Sequence, residues 1–470
     1  MSRRTPWRDH IEALAMAVIM ALLLKFFIIE AYKIPSGSMQ PTLIGDADAQ
    51  IFDRILVDKL SFKFRDPERF EVVVFRYPLN RAKNFVKRLC GIGPEYVRIL
   101  DGDLWHREHQ GQPWRNMRRS RAVQRDTWKR VDFEEPVITS WYPVSTGLEW
   151  KLEGRRIEAR GDGTARFGAD AGSIMDSYTH GYPDELVDRV SRKRGTGMHP
   201  VGDIRLECVV TALPDTRSVS IRLKEGQRDY LLSIPGPAAR MDARPRIESI
   251  SRTGFEIVDV FRMDSSKQPY RLPAGEPVRI GGQNLDDLLE LDIDGEVVCS
   301  IEIDPTSDQR SIAYVEVEGE GADFDDLMVY RDIYYLATKE SEYFIPEGMY
   351  FMLGDNTQDS SDSREWVFDC YAVSGDDGTS EVVRGSLRKD PDLWQANPAV
   401  IDIGNPEGAL VRLEDQWGEA HWFRRGDPTW SKLKPEESPF VPRSLILGRA
   451  LAVFWPLNPR QGIYRLKWIH

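Results

Sequence analysis

The chain has 470 residues, 41% hydrophobic and 29% charged, with a formal net charge of −12. Its length exceeds one ordinary domain, and this balance suits a folded protein and excludes a disordered chain. The acidic excess argues against a nucleic-acid binder, which carries a basic footprint.

The N-terminus comes first. Residues 13–29 read ALAMAVIMALLLKFFII, with one charge, Lys25. Taken back to Ile11, the run has nineteen residues, within the range of a spanning helix. Lys25, near the far end, can snorkel toward the interface. Arg3, Arg4 and Arg8 precede the run, so the positive-inside rule places the N-terminus in the cytoplasm and everything after Glu30 outside. A cleaved signal peptide is the competing reading. The flank Ile29-Glu30-Ala31-Tyr32-Lys33 lacks an A-x-A site, which favours an uncleaved anchor. A buried core helix is the third reading.

Just downstream, Pro35-Ser36-Gly37-Ser38-Met39-Gln40-Pro41-Thr42-Leu43 places two serines around a glycine, closed off by prolines. The prolines restrict the backbone and Gly37 permits conformations that other residues resist. Such a loop can hold out a serine as a nucleophile, and on composition alone it fits an ordinary turn equally well.

The chain then turns to β patterns. Residues 51–62 (IFDRILVDKLSF) mix apolar and charged residues at strand-like spacing, and residues 71–77 (EVVVFRY) form a β-branched run consistent with a buried strand. Residues 84–89 (NFVKRL) alternate, so a strand there puts Phe85, Lys87 and Leu89 on one face and Val86 and Arg88 on the other. A lysine between apolar neighbours on an inward face is desolvated, which favours the neutral amine and makes it a base. A solvated Lys-Arg pair on a surface strand is the alternative.

These blocks, in this order, resemble bacterial type I signal peptidase: PSGSMQPTL after a membrane segment, VVVFRYP, FVKRL, then Gly354-Asp355-Asn356 with Asp359-Ser360-Ser361-Asp362-Ser363-Arg364. The resemblance covers roughly residues 10–105, 340–366 and 438–470, the last through FVPRSLILGRALAVFWPL. It implies a serine–lysine dyad, with Ser38 as nucleophile and Lys87 as general base and later acid. It implies that Ser36 helps line the oxyanion hole with the Ser38 backbone N–H, that Ser360 orients the lysine, that Asp362 is an acidic support and that Arg364 supports the same loop. The logic is that of an activated nucleophile with an adjacent base and an orienter. None of the seven histidines lies in these blocks. His106 and His109, at i, i+3 spacing, give a weak metal signal and read better as surface polarity.

The sequence departs from the family pattern after the lysine. The usual Gly-x-Pro-Gly-Asp is here Gly91-Ile92-Gly93-Pro94-Glu95, which puts the turn after Lys87 in question. The arginine expected after Gly-Asp-Asn is Thr357, and the glycine expected after the tryptophan is Val367.

Two long segments interrupt the blocks. From Glu134 onward short strand-like runs recur at residues 148–159, 202–211, 218–223, 229–234, 254–262, 289–303 and 311–318, a spacing that suggests an all-β sandwich. Leu289 to Val297, with Phe324 to Tyr330 after it, is similar to the closing strands of laminin-G or concanavalin-like sandwiches. A second insertion over residues 368–439 contains a hairpin, 410–415 with 421–425, and its aspartates, glycines and prolines elsewhere suggest exposed loops. Cys90, Cys208, Cys299 and Cys370 form no CxxC pair, which disfavours a zinc or thioredoxin-like site, and in an oxidising compartment their pairing is left open.

The expected fold is mainly β: a signal-peptidase-like β-rich catalytic core with one N-terminal transmembrane helix and an inserted β-sandwich-like module. The expected division is 1–32 cytoplasmic tail and anchor, 33–105 first core part, 106–133 connector, 134–335 sandwich, 336–367 second core part, 368–437 second insertion and 438–470 third core part. The expected activity is removal of signal peptides from exported preproteins at the bacterial cytoplasmic membrane, with the catalytic domain on the outer side. The resemblance implies small residues, usually alanine, at the first and third positions before the cleaved bond, and no metal or cofactor. Expected partners are preproteins and membrane lipids, with no nucleic acid and an unknown ligand for the sandwich. Self-cleavage of the SOS-repressor type, and a catalytically silent anchored binding protein that uses the sandwich, are the alternatives.

Overall fold

The computed structural model describes residues 6–23, 28–46, 51–131, 141–146, 149–168, 173–176, 198–251, 256–262, 270–337, 341–374, 380–388, 396–401, 409–458 and 463–470. The described protein is mainly β, with a long helix at Pro6–Leu23 and short ones at Ser61–Phe64 and Arg121–Thr127.

The N-terminal helix starts earlier and stops earlier than the hydropathy run. It covers 18 residues, and Ile29, expected at the end of the span, instead begins the strand Ile29–Lys33. No helix among the described residues is long and apolar enough to cross a membrane. Residues 24–27, the middle of the expected far end, lie outside the described residues. The buried-core-helix reading fails, because Trp7, Ile11, Leu14, Met16 and Ile19 are all exposed.

An eight-stranded antiparallel sheet carries the blocks singled out above. Its order is Ile29–Lys33, Arg54–Asp58, Ile446–Trp455, Val72–Tyr77, Asn80–Ile92, Met349–Leu353 and Phe440–Pro442, with Lys467–Trp468 beside Ile446–Trp455. Chain-distant segments thus become neighbours. Residues 51–62 resolve into two strands and the start of the Ser61–Phe64 helix, because Asp58 accepts from the Leu60 and Ser61 backbone N–H groups and turns the chain. The strand Asn80–Ile92 is longer than the alternating run, and Val73 faces Lys87 across the ladder.

Two further sheets enclose the largest apolar core. One is built on Gly321–Arg331, Ile204–Ala212 and Pro277–Leu285, the other on Ser311–Gly319, Thr216–Glu225 and Arg228–Pro235. The alternation of Ile204–Ala212 buries Ile204, Leu206, Cys208, Val210 and Ala212 while the residues between them are partly exposed. A strand's period of two puts those five side chains on one face. The run at 289–303 is two strands, Leu288–Ile293 and Glu296–Glu302, joined by a turn in which Asp294 and Gly295 both have positive φ. Residues 148–159 likewise split into a hairpin, Lys151–Glu153 with Arg156–Arg160.

Among the described residues, the second insertion holds more strand than the one hairpin its pattern suggests. Val367–Ser374 is a strand paired with Ser380–Ser386 over seven residue pairs, and Phe368 and Cys370 join the core formed by Val73, Phe75 and Trp366. Its apolar residues outweigh the polar composition around it. The Leu410–Glu414 and Ala420–Arg424 hairpin forms as the pattern predicts. All four cysteines are buried, and none forms a disulfide.

Candidate active site

The Pro35–Leu43 stretch is a tight turn plugged into the core by its apolar residues. The Gln40 N–H donates to the Gly37 carbonyl at 3.0 Å and the Leu43 N–H to the Met39 carbonyl at 2.9 Å. Met39, Leu43 and Ile34 pack against Ile55, Val57 and Val74. Burial of that side of the turn leaves Ser38 half-buried and Ser36 exposed on the other. Gly45 passes so close beneath that a Cβ there would sit 2.5 Å from the Ser36 carbonyl oxygen. No motif flagged Gly45; only the packed structure shows why a side chain is excluded.

Lys87 lies on the strand Asn80–Ile92 and is 3% exposed. Its Nζ donates to Ser38 Oγ at 2.8 Å, and Ser36 Oγ lies 3.5 Å from Ser38 Oγ. Phe85 and Leu89 stand on either side of Lys87 along the strand and belong to one apolar cluster, while Val86 belongs to another. Burial lowers the Lys87 pKa to about 8, although Asp362 and Asp355 favour the charged form. The strand is paired with Val72–Tyr77 on one side as far as Asn80, but Met349–Leu353 covers its other side only from Arg88 onward. Residues 84–87 therefore present a strand edge with no partner among the described residues.

Gly354–Arg364 braces the serine turn from behind. The Asn356 backbone N–H donates to the Ser38 carbonyl at 3.1 Å, and the Asn356 side-chain amide to the Gly37 carbonyl at 3.1 Å. A Cβ on Gly354 would overlap both the Ser360 hydroxyl and the Ser38 carbonyl oxygen, so glycine permits this approach. Asp362 is fully buried, accepts from the Gly354 N–H at 3.0 Å and holds the Arg364 Nε and Nη2 at 2.7 Å each. Arg364 also reaches the Leu336 carbonyl at 2.9 Å. Ser360 is buried beside Gly354, and its hydroxyl makes no hydrogen bond among the described residues, to Lys87 or otherwise. Ser38, Lys87, Ser36, Ser360, Asp362 and Arg364 thus come together around one turn. Thr357, standing where an arginine was expected, donates its hydroxyl to the Tyr334 carbonyl at 2.9 Å.

Three features escaped the sequence. Arg88 is fully buried and grips the Asp355 carboxylate with Nε at 2.8 Å and Nη2 at 2.7 Å. Thr42 Oγ1 donates to the same carboxylate at 2.5 Å. Lys129, from the segment read as a connector, donates its Nζ to the Asp355 carbonyl at 2.9 Å. Burial pushes the Asp355 carboxyl up, but Arg88, Thr42 and Lys129 outweigh it and hold it below the ordinary range. The altered turn after Lys87 also has a physical account. Gly93 approaches the Pro346 backbone too closely for any Cβ, and Glu95 accepts from the Ile92 N–H at 2.7 Å while pairing with Arg69. His106 lies 3.4 Å from Glu95, and His109 is exposed.

A serine hydroxyl hydrogen-bonded to a desolvated lysine is the arrangement of hydrolases that activate serine with an amine. A family model described as signal peptidase, peptidase S26, matches residues 7–142 and 276–377, about half of the chain. The chain belongs to that family. It is 40% identical over 105 residues to a protein named probable signal peptidase I-2 of Synechocystis sp., covering 21% of this chain and 45% of that protein. It is 37% identical over 93 residues to a protein named signal peptidase I of Aquifex aeolicus, covering 20% of this chain and 34% of that one. The chain thus spans about half or less of the length of these two curated relatives. Among solved structures it is similar to a Caenorhabditis elegans galectin, at 12% identity over 28% of this chain and 82% of that one, with a TM-score of 0.21. A likeness that low carries no argument.

Proposed function

We propose that this chain is a membrane-anchored serine endopeptidase that removes signal peptides from exported preproteins. The observation that carries the reading is the 2.8 Å hydrogen bond from Lys87 Nζ to Ser38 Oγ, made by an amine whose pKa is lowered to about 8. Ser38 Oγ attacks the scissile carbonyl and its proton passes to neutral Lys87. The Ser38 N–H and the Ser36 hydroxyl hold the developing oxyanion. Lys87 ammonium then protonates the leaving amine, releasing the mature protein and leaving the signal peptide as an acyl ester on Ser38. Neutral Lys87 then takes a proton from water, whose hydroxide attacks the ester; as the acyl–oxygen bond breaks, the Lys87 ammonium returns the proton to Ser38 Oγ and the signal peptide leaves as its carboxylate. Asp362 and Arg364 position the loop, and Ser360, buried beside Gly354, orients the lysine. The preferred bond follows small residues at the first and third positions. The free edge at residues 84–87 offers backbone groups for an extended substrate.

The reading includes the anchor, whose exposed apolar side chains would sit in lipid, with the N-terminus cytoplasmic and the catalytic body on the outer side of a bacterial cytoplasmic membrane. It also includes residues 134–335 as an inserted sandwich module. The direct test is cleavage of a purified preprotein at the expected small-residue site by the purified full chain; an intact preprotein under all conditions would overturn the proposal.

Two outcomes are specific to the dyad. Because the active amine is the neutral one, kcat/KM should rise about tenfold per pH unit below pH 8 and level off above it. At pH 7 only about a tenth of the lysine is neutral. A flat profile from pH 6 to 9 would remove Lys87 as the base. Ser36→Ala should lower kcat on the order of 10²–10³-fold with little change in KM, as loss of one oxyanion donor does. Ser36→Thr, which keeps the hydroxyl, should lose less; wild-type kcat in Ser36→Ala would make Ser36 a plain turn residue.

A further inference from the structure

A cavity of about 520 Å³ opens beside the dyad, between the core sheet and the second insertion. Its core wall is Tyr77, Asn80, Lys83, Phe85 and Ser361. Its other wall comes from the insertion and includes Ser386, Arg388, Arg412 and Glu414. The cavity begins close to the chemistry. The Phe85 ring lies 5.5 Å from Lys87 Nζ, and Ser361 directly follows Ser360. Along an extended strand, the four residues from Lys87 to Lys83 span about 13 Å. The cavity thus lies three to five extended residues from the bond being cut.

The wall is fixed to the strand that carries the lysine. Tyr77 OH lies 3.2 Å from Ser386 Oγ, the Arg81 N–H donates to the Gln416 carbonyl at 2.7 Å, and the Asn80 amide bonds Glu414. The Arg81 guanidinium stacks 4.2 Å over the Trp417 ring. Tyr77 and Phe85 stack face to face with centroids 4.1 Å apart, giving the cavity a flat aromatic floor. The charge around it is one-sided. Lys83, Arg388 and Arg412 are cations, and Glu414 is the one lining carboxylate. That carboxylate is already shared, with Lys83 at 3.8 Å and Arg412 at 3.5 Å. Arg388 is exposed at the strand end.

We propose that the second insertion forms a subsite of the substrate groove that takes an acidic side chain three to five residues from the scissile bond. This rests on the peptidase reading above. An extended substrate on the free edge at residues 84–87 runs its next residues over the Phe85–Tyr77 floor. A carboxylate there meets Arg388, Arg412 and Lys83 with the fork geometry that guanidinium offers to carboxylate. A lysine at the same position meets like charge.

The test is a set of preproteins that differ only in placing Glu, Gln or Lys at each of positions three to five on either side of the cleavage site. The readout is the ratio of kcat/KM for Glu over Lys, taken within one enzyme so that any general loss of activity cancels. The full-length wild type should favour Glu about tenfold at one of these positions. The double variant R388E/R412E should bring the ratio to one or invert it, and Lys83→Gln, placed on the core wall, should reduce it in the same direction. If the wild type cleaves all substrates with no charge preference at any of these positions, the subsite is overturned while the peptidase reading stands. A preference that survives R388E/R412E unchanged also overturns it. If no substrate is cleaved, the peptidase reading itself fails, and the subsite with it.

Discussion

Ser38→Ala and Lys87→Met should each reduce preprotein cleavage to background, a loss on the order of 10⁶ in kcat if the pair acts as a unit. The two losses should not add in the double variant, because either removal alone breaks the same proton transfer. Methionine suits the lysine site: it fills the apolar volume between Phe85 and Leu89 and removes only the amine. Lys87→Arg should be equally inactive, since a guanidinium stays protonated and cannot take the Ser38 proton. Ser38→Ala and Lys87→Met should unfold at or near the wild-type midpoint, because the buried Lys87 amine is an expense of burial and not a source of stability. Rapid cleavage by any of the three, confirmed on protein free of wild-type enzyme, would sink the assignment of these two residues.

The period-two pattern at residues 84–89 places Lys87 between Phe85 and Leu89, whereas the proline-bracketed turn reads equally well as an ordinary turn, and only the family resemblance singles out Ser38 within it. What the pattern could not supply was the nature of the other face. Arg88 was placed opposite Lys87, which is where it lies, but a strand covered on both sides buries both sets of side chains. Period alone does not say what covers the second face. The partner Asp355 sits far along the chain, inside a segment whose motif was recognised as a block without a job for its carboxylate. Lys129 was still less visible, since a lone lysine in an Arg- and Trp-rich connector carries no pattern. In the second insertion the frequent Asp, Gly and Pro masked the strand Val367–Ser374. Its Phe368 and Cys370 pack onto Phe75 and Trp366, contacts that only the folded chain reveals. The strands of the long segment between the blocks were legible wherever alternation was clean, as in Ile204–Ala212. They run together in the pattern where a tight turn, Asp294-Gly295 or Gly154-Arg155, joins two of them.

Breaking the Arg88–Asp355 pair should have the largest effect on stability. Both side chains are fully buried, and the guanidinium donates two hydrogen bonds to the carboxylate. Asp355→Ala leaves a full positive charge in a site closed to water, and loss of one member of such a pair costs about 3–5 kcal/mol. Arg88→Met strands the carboxylate instead, with Thr42 and the nearby Lys129 as remaining support, so it should cost less. The double variant Arg88→Met/Asp355→Leu removes both charges and should recover much of the loss, since apolar replacement of a whole buried pair is often close to neutral. The measurement is urea unfolding of the three variants, followed through the tryptophans of the core such as Trp366. Equal and additive losses in the two single variants would mean that the ion pair is not the coupled unit that its geometry describes. Activity separates support from chemistry. The pair lies one residue from Asn356, whose backbone N–H and side-chain amide hold the Ser38 and Gly37 carbonyls. Asp355→Ala should therefore lower kcat even at temperatures where it remains folded. The stabilised double variant should regain stability more completely than activity, because the Thr42 hydrogen bond to Asp355 that ties this loop to the serine turn is not restored by leucine.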